Sequence, residues 1–398
     1  MLEALFYKSE LLVRKHAKLP KRGIFNSIHW ESKLIGIKGV RGVGKTTVLL
    51  QRLFELNLPT NEAIFISLDD WFFTQHTLVE TAEYFIKQGG KVLFIDEVHK
   101  YHNWALQIKN LYDCYDLNIV FTGSSIIDIA KEEGDLSRRA VMYKMYGLSF
   151  REYLNIEYKF DFKELEWSDL TNTSSTNLID LFPEDFKPYK YFNAYLKSGY
   201  YPFFKEGKDV YYTKIQQVIR QVVEYDMAEL KGFDIRNAKK MLQLLGVIAQ
   251  NVPFKPNVQK LAEKMDMNRL TLQNYLVFLM EANLINLLYP SGISTAVLQK
   301  PEKIYFENTN LAYALGGDTN IGTIRETFVF NQLKQLFSVT AVSQGDFLID
   351  NQYIFEVGGK NKTNKQIETL PNSFRVLDDF EFTSTKNVIP IWLLGFLY

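Results

Sequence analysis

The 398-residue chain holds one cysteine, Cys114, so a disulfide framework within it is excluded. It has no surplus of either charge: 46 Lys+Arg stand against 46 Asp+Glu. A chain-wide attraction to nucleic acid is therefore excluded, and only a local basic patch can supply one. Long hydrophobic runs are missing too. The longest, VIPIWLLGFLY, falls well short of the ~20 residues a membrane-spanning helix needs. The first residues, MLEALFYKSELLVRKHAKLPKR, scatter charge where a signal peptide carries its apolar stretch. No repeat of fixed period is visible. The expectation is a soluble, cytoplasmic protein without a membrane partner. What is present is an ordinary folding composition, 46% hydrophobic and 23% charged, at a length that predicts two or three domains.

The first part of the chain alternates short apolar runs with helical patterns. KLIGIKG, AIFISLD, KVLFID and LNIVFTGSS read as strands. TTVLLQRLFEL, TLVETAEYFIKQ and WALQIKNLYDCY read as helices, the last capped by Asn103. Apolar strands separated by helices imply a parallel α/β sheet covered on both faces. TNTSSTN, 171–177, reads as a linker closing a first domain at 1–170. A helical region follows over 178–300. Within it, a helix ending near Met265, a turn at 266–268 and a second helix from Arg269 to Ala282 have helix-turn-helix spacing. The remainder, 301–398, reads in the order α-β-β-β-α-β-β, with NKQIETL as its short second helix and VIPIWLL as its last strand.

One motif is complete. Gly39-Val40-Arg41-Gly42-Val43-Gly44-Lys45-Thr46 satisfies G-x-x-x-x-G-K-[ST], between an apolar strand and a helix that continues through Thr47. Glycines let backbone N–H groups curl around phosphate oxygens, and the helix N-terminus adds partial positive charge. Lys45 would reach the β- and γ-phosphates, and Thr46 would ligate Mg²⁺. Asp96 and Glu97 end the KVLFID strand, at the carboxyl edge where α/β sheets bind ligands. There Asp96 would hold Mg²⁺ and Glu97 would polarise the attacking water, although adjacent acids at a strand end also cap helices. Ser124 in FTGSS is placed either to sense a γ-phosphate or simply to make a turn. His99 and His102 read as surface or packing histidines rather than metal ligands.

The ordered set GVRGVGKTT, LDD, IDEVHKYHNW, TGSS and LSRRAVMYKMYGLSFREYL resembles a prokaryotic family of AAA-type ATPases. YLKSGYYPFF, KPEKIYFENTNLAYAL and GTIRETFVFNQL resemble the same family's C-terminal region of unknown function. The resemblance implies an AAA+ P-loop fold, a winged helix and a degenerate restriction-endonuclease-like domain. It implies binding and hydrolysis of ATP. Its arginine falls on Arg139, with Arg138 in place of the family's glycine. That arginine would stabilise γ-phosphate charge in cis or from a neighbouring subunit; the alternative is pairing with surface acids.

Beyond the P-loop the chemistry is less determined. Asn268, Arg269, Thr271, Gln273 and Asn274 open the second helix of the helix-turn-helix and suit DNA contact, but such units also pack domains or dock proteins. The C-terminal order resembles the PD-(D/E)xK nuclease core, with Glu326, Asp346 and Glu356 in the places of its acids. A lysine two residues after the glutamate would share its face; here that residue is Gly358, and Lys360 lies about 13 Å along an extended strand. Either the acids are a relic or a displaced lysine completes the site. Lys360, Lys362 and Lys365 form a basic turn, as does VRKHAKLPKR near the N-terminus. The expectation is an ATPase coupled to a DNA or protein partner, with oligomerisation possible. The alternatives are a nucleotide switch with little turnover and an ATP-gated nuclease.

Overall fold

The computed structural model describes residues 2–124, 136, 138–172, 174–229, 233–250, 257–292, 300–316, 320–362 and 367–398. The chain divides into two compact units, Met1–Tyr146 and Gly147–Tyr398. Among the described residues, no helix is long and apolar enough to cross a membrane.

Unit 1 is built on five parallel strands: β1 (Leu34–Gly39), β2 (Ala63–Ser67), β3 (Val92–Asp96), β4 (Asn118–Ser124) and β5 (Val141–Met145). Their order is β2-β3-β4-β1-β5, so β4 lies between the strands that end in the P-loop and in Asp96. The chain leaves β1 for one edge of the sheet and β4 for the other, which opens a crevice at their carboxyl ends. Helices α1 (Glu3–His16), α2 (Ile24–Ser27), α3 (Lys45–Leu56), α4 (Leu78–Lys87) and α5 (Trp104–Cys114) accompany the sheet. Leu34, Ile37, Phe94, Ile95, Ile119 and Phe121 are buried, as strands covered on both faces require. The strands and helices expected from the pattern are all present. Asn103 occupies the cap position of α5 but in a left-handed conformation, without a side-chain cap bond. β5 was not expected: it is an edge strand whose residues alternate poorly, from the exposed Val141 to the buried Met145.

Unit 2 begins with α6 (Phe150–Tyr158) and α7 (Trp167–Thr171), continues through α8 (Pro188–Ser198), α9 (Lys208–Gln221) and α10 (Ala238–Ala249), and reaches α11 (Val258–Lys264) and α12 (Arg269–Glu281). An antiparallel ribbon follows, β6 (Ile285–Leu288) with β7 (Lys303–Phe306). After α13 (Thr309–Gly316) and α14 (Ile321–Leu333) comes a second sheet: β8 (Val339–Thr340), β9 (Phe347–Ile349), β10 (Tyr353–Gly358), β11 (Ser373–Leu377) and β12 (Val388–Pro390). Its order is β12-β11-β10-β9-β8; β10, β11 and β12 run parallel, while β9 and β8 alternate in direction.

The organisation departs from the sequence pattern in three places. The compact units divide at 146/147, where the pattern placed a linker near 170, and the helical middle shares one unit with the C-terminal sheet. The reason is aromatic: Phe150 on α6 packs 5.1 Å from Phe192 and 5.9 Å from Phe396. TNTSSTN is not a free linker, because Ser175 is buried and its hydroxyl donates to the Thr383 carbonyl at 3.1 Å. VIPIWLL is a strand only to Pro390; Ile391–Phe396 is a buried 3₁₀ turn. The helix expected over NKQIETL falls partly outside the described residues.

Candidate functional site

β1 delivers Gly39 to the edge of the sheet, where β5 crowds it: a Cβ at this position would meet the Met145 carbonyl at 2.2 Å. The loop then turns through Gly42 (φ 84°) and Gly44 (φ 102°), a conformation only glycine adopts freely. Val40 and Val43 are buried and anchor it, while Arg41 is half-buried and Gly42 exposed. Gly44 is the N-cap of α3 and contributes no side-chain cap. The N–H groups of Lys45, Thr46 and Thr47 thus open a twelve-residue helix with its positive end toward the crevice. Lys45 is buried and donates to the carbonyls of Gly39 (2.9 Å) and Val40 (3.1 Å), drawing the loop closed over its own ammonium.

The second half of the site meets the first at Asp96, which is 4% exposed. The Thr46 hydroxyl donates to its Oδ2 at 2.7 Å, and the Thr122 hydroxyl donates to its Oδ1. Burial, and then the neighbouring Glu97 charge, raise the Asp96 carboxyl above its usual range; Thr122, Thr46 and Lys45 pull against that rise. The pair Thr46–Asp96 is thus an oxygen-donor set beside the loop, of the kind a hard divalent cation takes. The residues present fit Mg²⁺.

Glu97 follows with a left-handed backbone, φ 54°, at a cost of about 1 kcal/mol for a residue with a Cβ. Its N–H donates to Thr122 Oγ1 at 3.3 Å. Its Oε2 lies 3.2 Å from His99 Nε2, close enough to pair although not aligned as a hydrogen bond. His99 Nδ1 accepts from the Ser124 N–H at 3.4 Å. An accepting Nδ1 places the ring proton on Nε2, toward the Glu97 carboxylate. Ser124 itself pairs in register with Gly39, at the mouth of the loop.

Most of the expected residues are therefore brought together: the loop from Gly39 to Thr47, with Asp96, Glu97 and Ser124. Arg139 is not among them. It lies two residues before β5, at the amino ends of the strands and about 20 Å from the loop along β5. Its guanidinium forms a two-pronged pair with Asp113 (2.8 and 2.9 Å). Within one chain the cis role is thus corrected to surface pairing. The sequence reading missed Thr122 and His99. Thr122 had a signal, since it lies two residues before Ser124 and shares its strand face. Of the two histidines read as surface or packing residues, His99 is packed between Glu97 and Ser124, its side chain only 4% exposed, while His102 is exposed. In the basic stretch near the N-terminus, Arg22 is buried and donates to the Val43 and Tyr146 carbonyls at 2.8 and 3.0 Å, bracing the P-loop rather than facing solvent.

Unit 2 gathers a second set of charges. Lys303 Nζ lies 2.9 Å from Glu326 and 3.1 Å from Asp346, and the Tyr305 hydroxyl donates to Glu326 at 2.5 Å. Burial alone would lower the Lys303 pKa; Glu326 and Asp346 outweigh it and hold the ammonium above its usual value. Asp346 Oδ2 accepts from the Val357 N–H at 3.0 Å. Glu356 pairs through Oε1 with Lys362 at 2.5 Å. Lys360 is corrected: it lies over the Phe380 ring, 5.7 Å from its centre, and Lys362 takes its expected place. Gly358 permits this, because a Cβ there would meet the Lys362 side chain at 2.6 Å. Lys365 lies outside the described residues. On α12, Asn268 is committed as the N-cap, accepting from the Thr271 N–H at 2.8 Å; Arg269 is exposed, and Gln273 and Asn274 are half-buried.

Residues 31–154 match the family model of an AAA domain. Over those residues unit 1 is similar to an AAA domain. Residues 189–322 match a domain of unknown function, DUF8612. The chain is also similar to the uncharacterized protein MJ1637 of Methanocaldococcus jannaschii. The two are 26% identical over 402 residues, which cover 92% of this chain and 85% of that one. Among solved structures it is similar to Aeropyrum pernix ORC1 in complex with DNA (TM-score 0.33, 12% identity, 78% of this chain and 92% of that one). It is similar too to AMPPCP-bound DnaA from Aquifex aeolicus (TM-score 0.25, 14% identity, 71% and 89%). At these scores the structural likenesses say nothing of the ligands of this chain. The AAA match runs past Tyr146 into α6, so its C-terminal end lies beyond the boundary of unit 1.

Proposed function

We propose that the AAA domain binds and hydrolyses Mg-ATP and passes its nucleotide state to a DNA or protein partner. The observation that carries this reading is the 2.7 Å contact between Thr46 and Asp96 beside the uncapped N-terminus of α3. Bound there, Mg²⁺ would neutralise charge on the β- and γ-phosphates. The chain's own contributions follow from the residues. The loop N–H groups and Lys45 hold phosphate oxygens, with Lys45 exchanging its two loop carbonyls for them. Thr46 and Asp96 hold the cation. Glu97 orients the attacking water, and Ser124 reads the γ-phosphate end of the site. We read α10–α12 and the β6–β7 ribbon as a winged helix, the candidate docking element for DNA or protein. Arg139 acts on γ-phosphate only if a neighbouring chain presents it.

The test is steady-state hydrolysis with Mg²⁺, alone and with single- or double-stranded DNA, against Lys45→Ala and Glu97→Gln. DNA-stimulated turnover lost in both variants supports the coupled ATPase. Absence of nucleotide binding in the parent chain refutes the reading.

One observation favours slow basal turnover. The Glu97 carboxylate lies against His99, itself tied to Ser124, rather than free for a water. On this second reading, a nucleotide switch, His99→Ala raises basal hydrolysis; unchanged or lower turnover rejects the restraint.

A further inference from the structure

The unit 2 cluster is arranged like a hydrolytic metal site with its cation position already filled. Lys303 and Tyr305 are two residues apart on β7, so they share a face and both reach Glu326. The Lys303 ammonium also reaches Asp346, which sits between Glu326 and the β10 backbone. Glu356 is 2% exposed; one of its oxygens holds Lys362 and the other, Oε2, is buried without a hydrogen-bond partner. Among the described residues, no group of three His, Cys, Asp or Glu side chains is arranged to hold a metal ion. The Mg²⁺ that the nuclease resemblance implies therefore does not fit the residues as they stand: a cation between Glu326 and Asp346 would coincide with an ammonium.

We propose that Lys303 replaces the divalent cation of this cluster, bridging Glu326 and Asp346 so that unit 2 is locked by an internal ion pair and takes no metal there. The geometry accounts for the gathered acids without hydrolysis. A carboxylate buried beside another needs a counter-charge, and a lysine on a neighbouring strand supplies it permanently, without dependence on solution metal. Lys362 does the same for Glu356. Three carboxylates against two ammoniums leave one negative charge, and the unpartnered Glu356 Oε2 is where it is least compensated. This reading is independent of the P-loop.

The experiment is Mn²⁺ titration of the full chain without nucleotide, following free Mn²⁺ by its paramagnetic resonance signal. The parent, Glu326→Gln, Lys303→Gln and the double variant Lys303→Gln/Glu326→Gln are compared. Any contribution from the P-loop cancels between chains that differ only at Glu326. Parent and Glu326→Gln are expected to bind the same number of ions. Lys303→Gln is expected to gain one equivalent, lost again in the double variant. A parent chain that binds one more ion than Glu326→Gln overturns the proposal, and so does a folded Lys303→Gln that gains none. If Lys303→Gln does not fold, the parent against Glu326→Gln still decides, since that comparison leaves the lysine in place.

Discussion

Thr122 offers the sharpest test of how the P-loop half and the Asp96 half are joined. Its hydroxyl donates to Asp96 Oδ1 and accepts from the Glu97 N–H, so one side chain holds both acids. Thr122→Val keeps the shape and removes the hydroxyl. Asp96 is buried, and a hydrogen bond to a charged acceptor contributes about 1.5–3 kcal/mol. That loss applies only while Asp96 is ionised. Its pKa is raised in the fold by burial and by Glu97, and losing a donor that favours the anion raises it further. A carboxyl raised above its unfolded value of 3.8 stabilises the fold most below that value and loses this contribution as pH rises through the folded value. The cost of Thr122→Val therefore grows with pH. Calorimetry would follow the transition that nucleotide shifts, at about pH 8 and about pH 5. At the higher pH the expected loss is about 2 kcal/mol, or about 4–8 °C for a unit of this size. At the lower pH it shrinks. In an Asp96→Asn background the same substitution should cost only a neutral hydrogen bond, about 1 kcal/mol, equally at both pH values. A cost that is independent of pH, or larger in acid, would refute the reasoning.

Asp96→Asn should itself stabilise the nucleotide-free chain at about pH 8, with the gain fading toward acid, while nucleotide affinity loses its dependence on Mg²⁺; both are read from thermal shift with and without ligand. Arg139→Ala removes a solvent-screened pair with Asp113 and should cost little stability, leaving turnover per chain unchanged in dilute protein; a fall under those conditions contradicts its placement away from the loop. Lys334→Met strips the counter-charge from Glu307, which is fully buried and contacts the Lys334 ammonium. Denaturant unfolding of unit 2 should show a loss of about 3–5 kcal/mol, most of it recovered in Lys334→Met/Glu307→Gln; a double variant as weak as the single would show that the charge was not the cause.

The parts of this site legible in the sequence are those that the chain writes contiguously. The loop from Gly39 to Thr47 is one run of residues whose backbone does the work, and Asp96–Glu97 ends a strand whose four apolar residues are adjacent. Thr122 was legible in principle, because period two puts it on the face of Ser124, but choosing it requires knowing that β4 lies beside β3. Arg139 shows the converse. Its neighbours in sequence suggested a phosphate sensor, yet the parallel register of β5 with β1 puts it at the wrong end of the sheet, and register is a tertiary property.

The C-terminal cluster carries that argument furthest. Strand geometry correctly ruled out Gly358 as the lysine position and made Lys360 the nearest substitute. The chain instead turns after Gly359, where the Lys362 N–H donates to the Gly359 carbonyl at 2.9 Å, and brings Lys362 back over the glycine. A turn reverses direction, so distance along an extended strand misjudges which lysine returns. Lys303 lies outside that local reasoning altogether. It is 23 residues from Glu326 and 43 from Asp346, on a ribbon whose partner strand is not part of the second sheet. An acid motif read along one strand can therefore give the position of every carboxylate and still miss the cation that decides whether they bind metal.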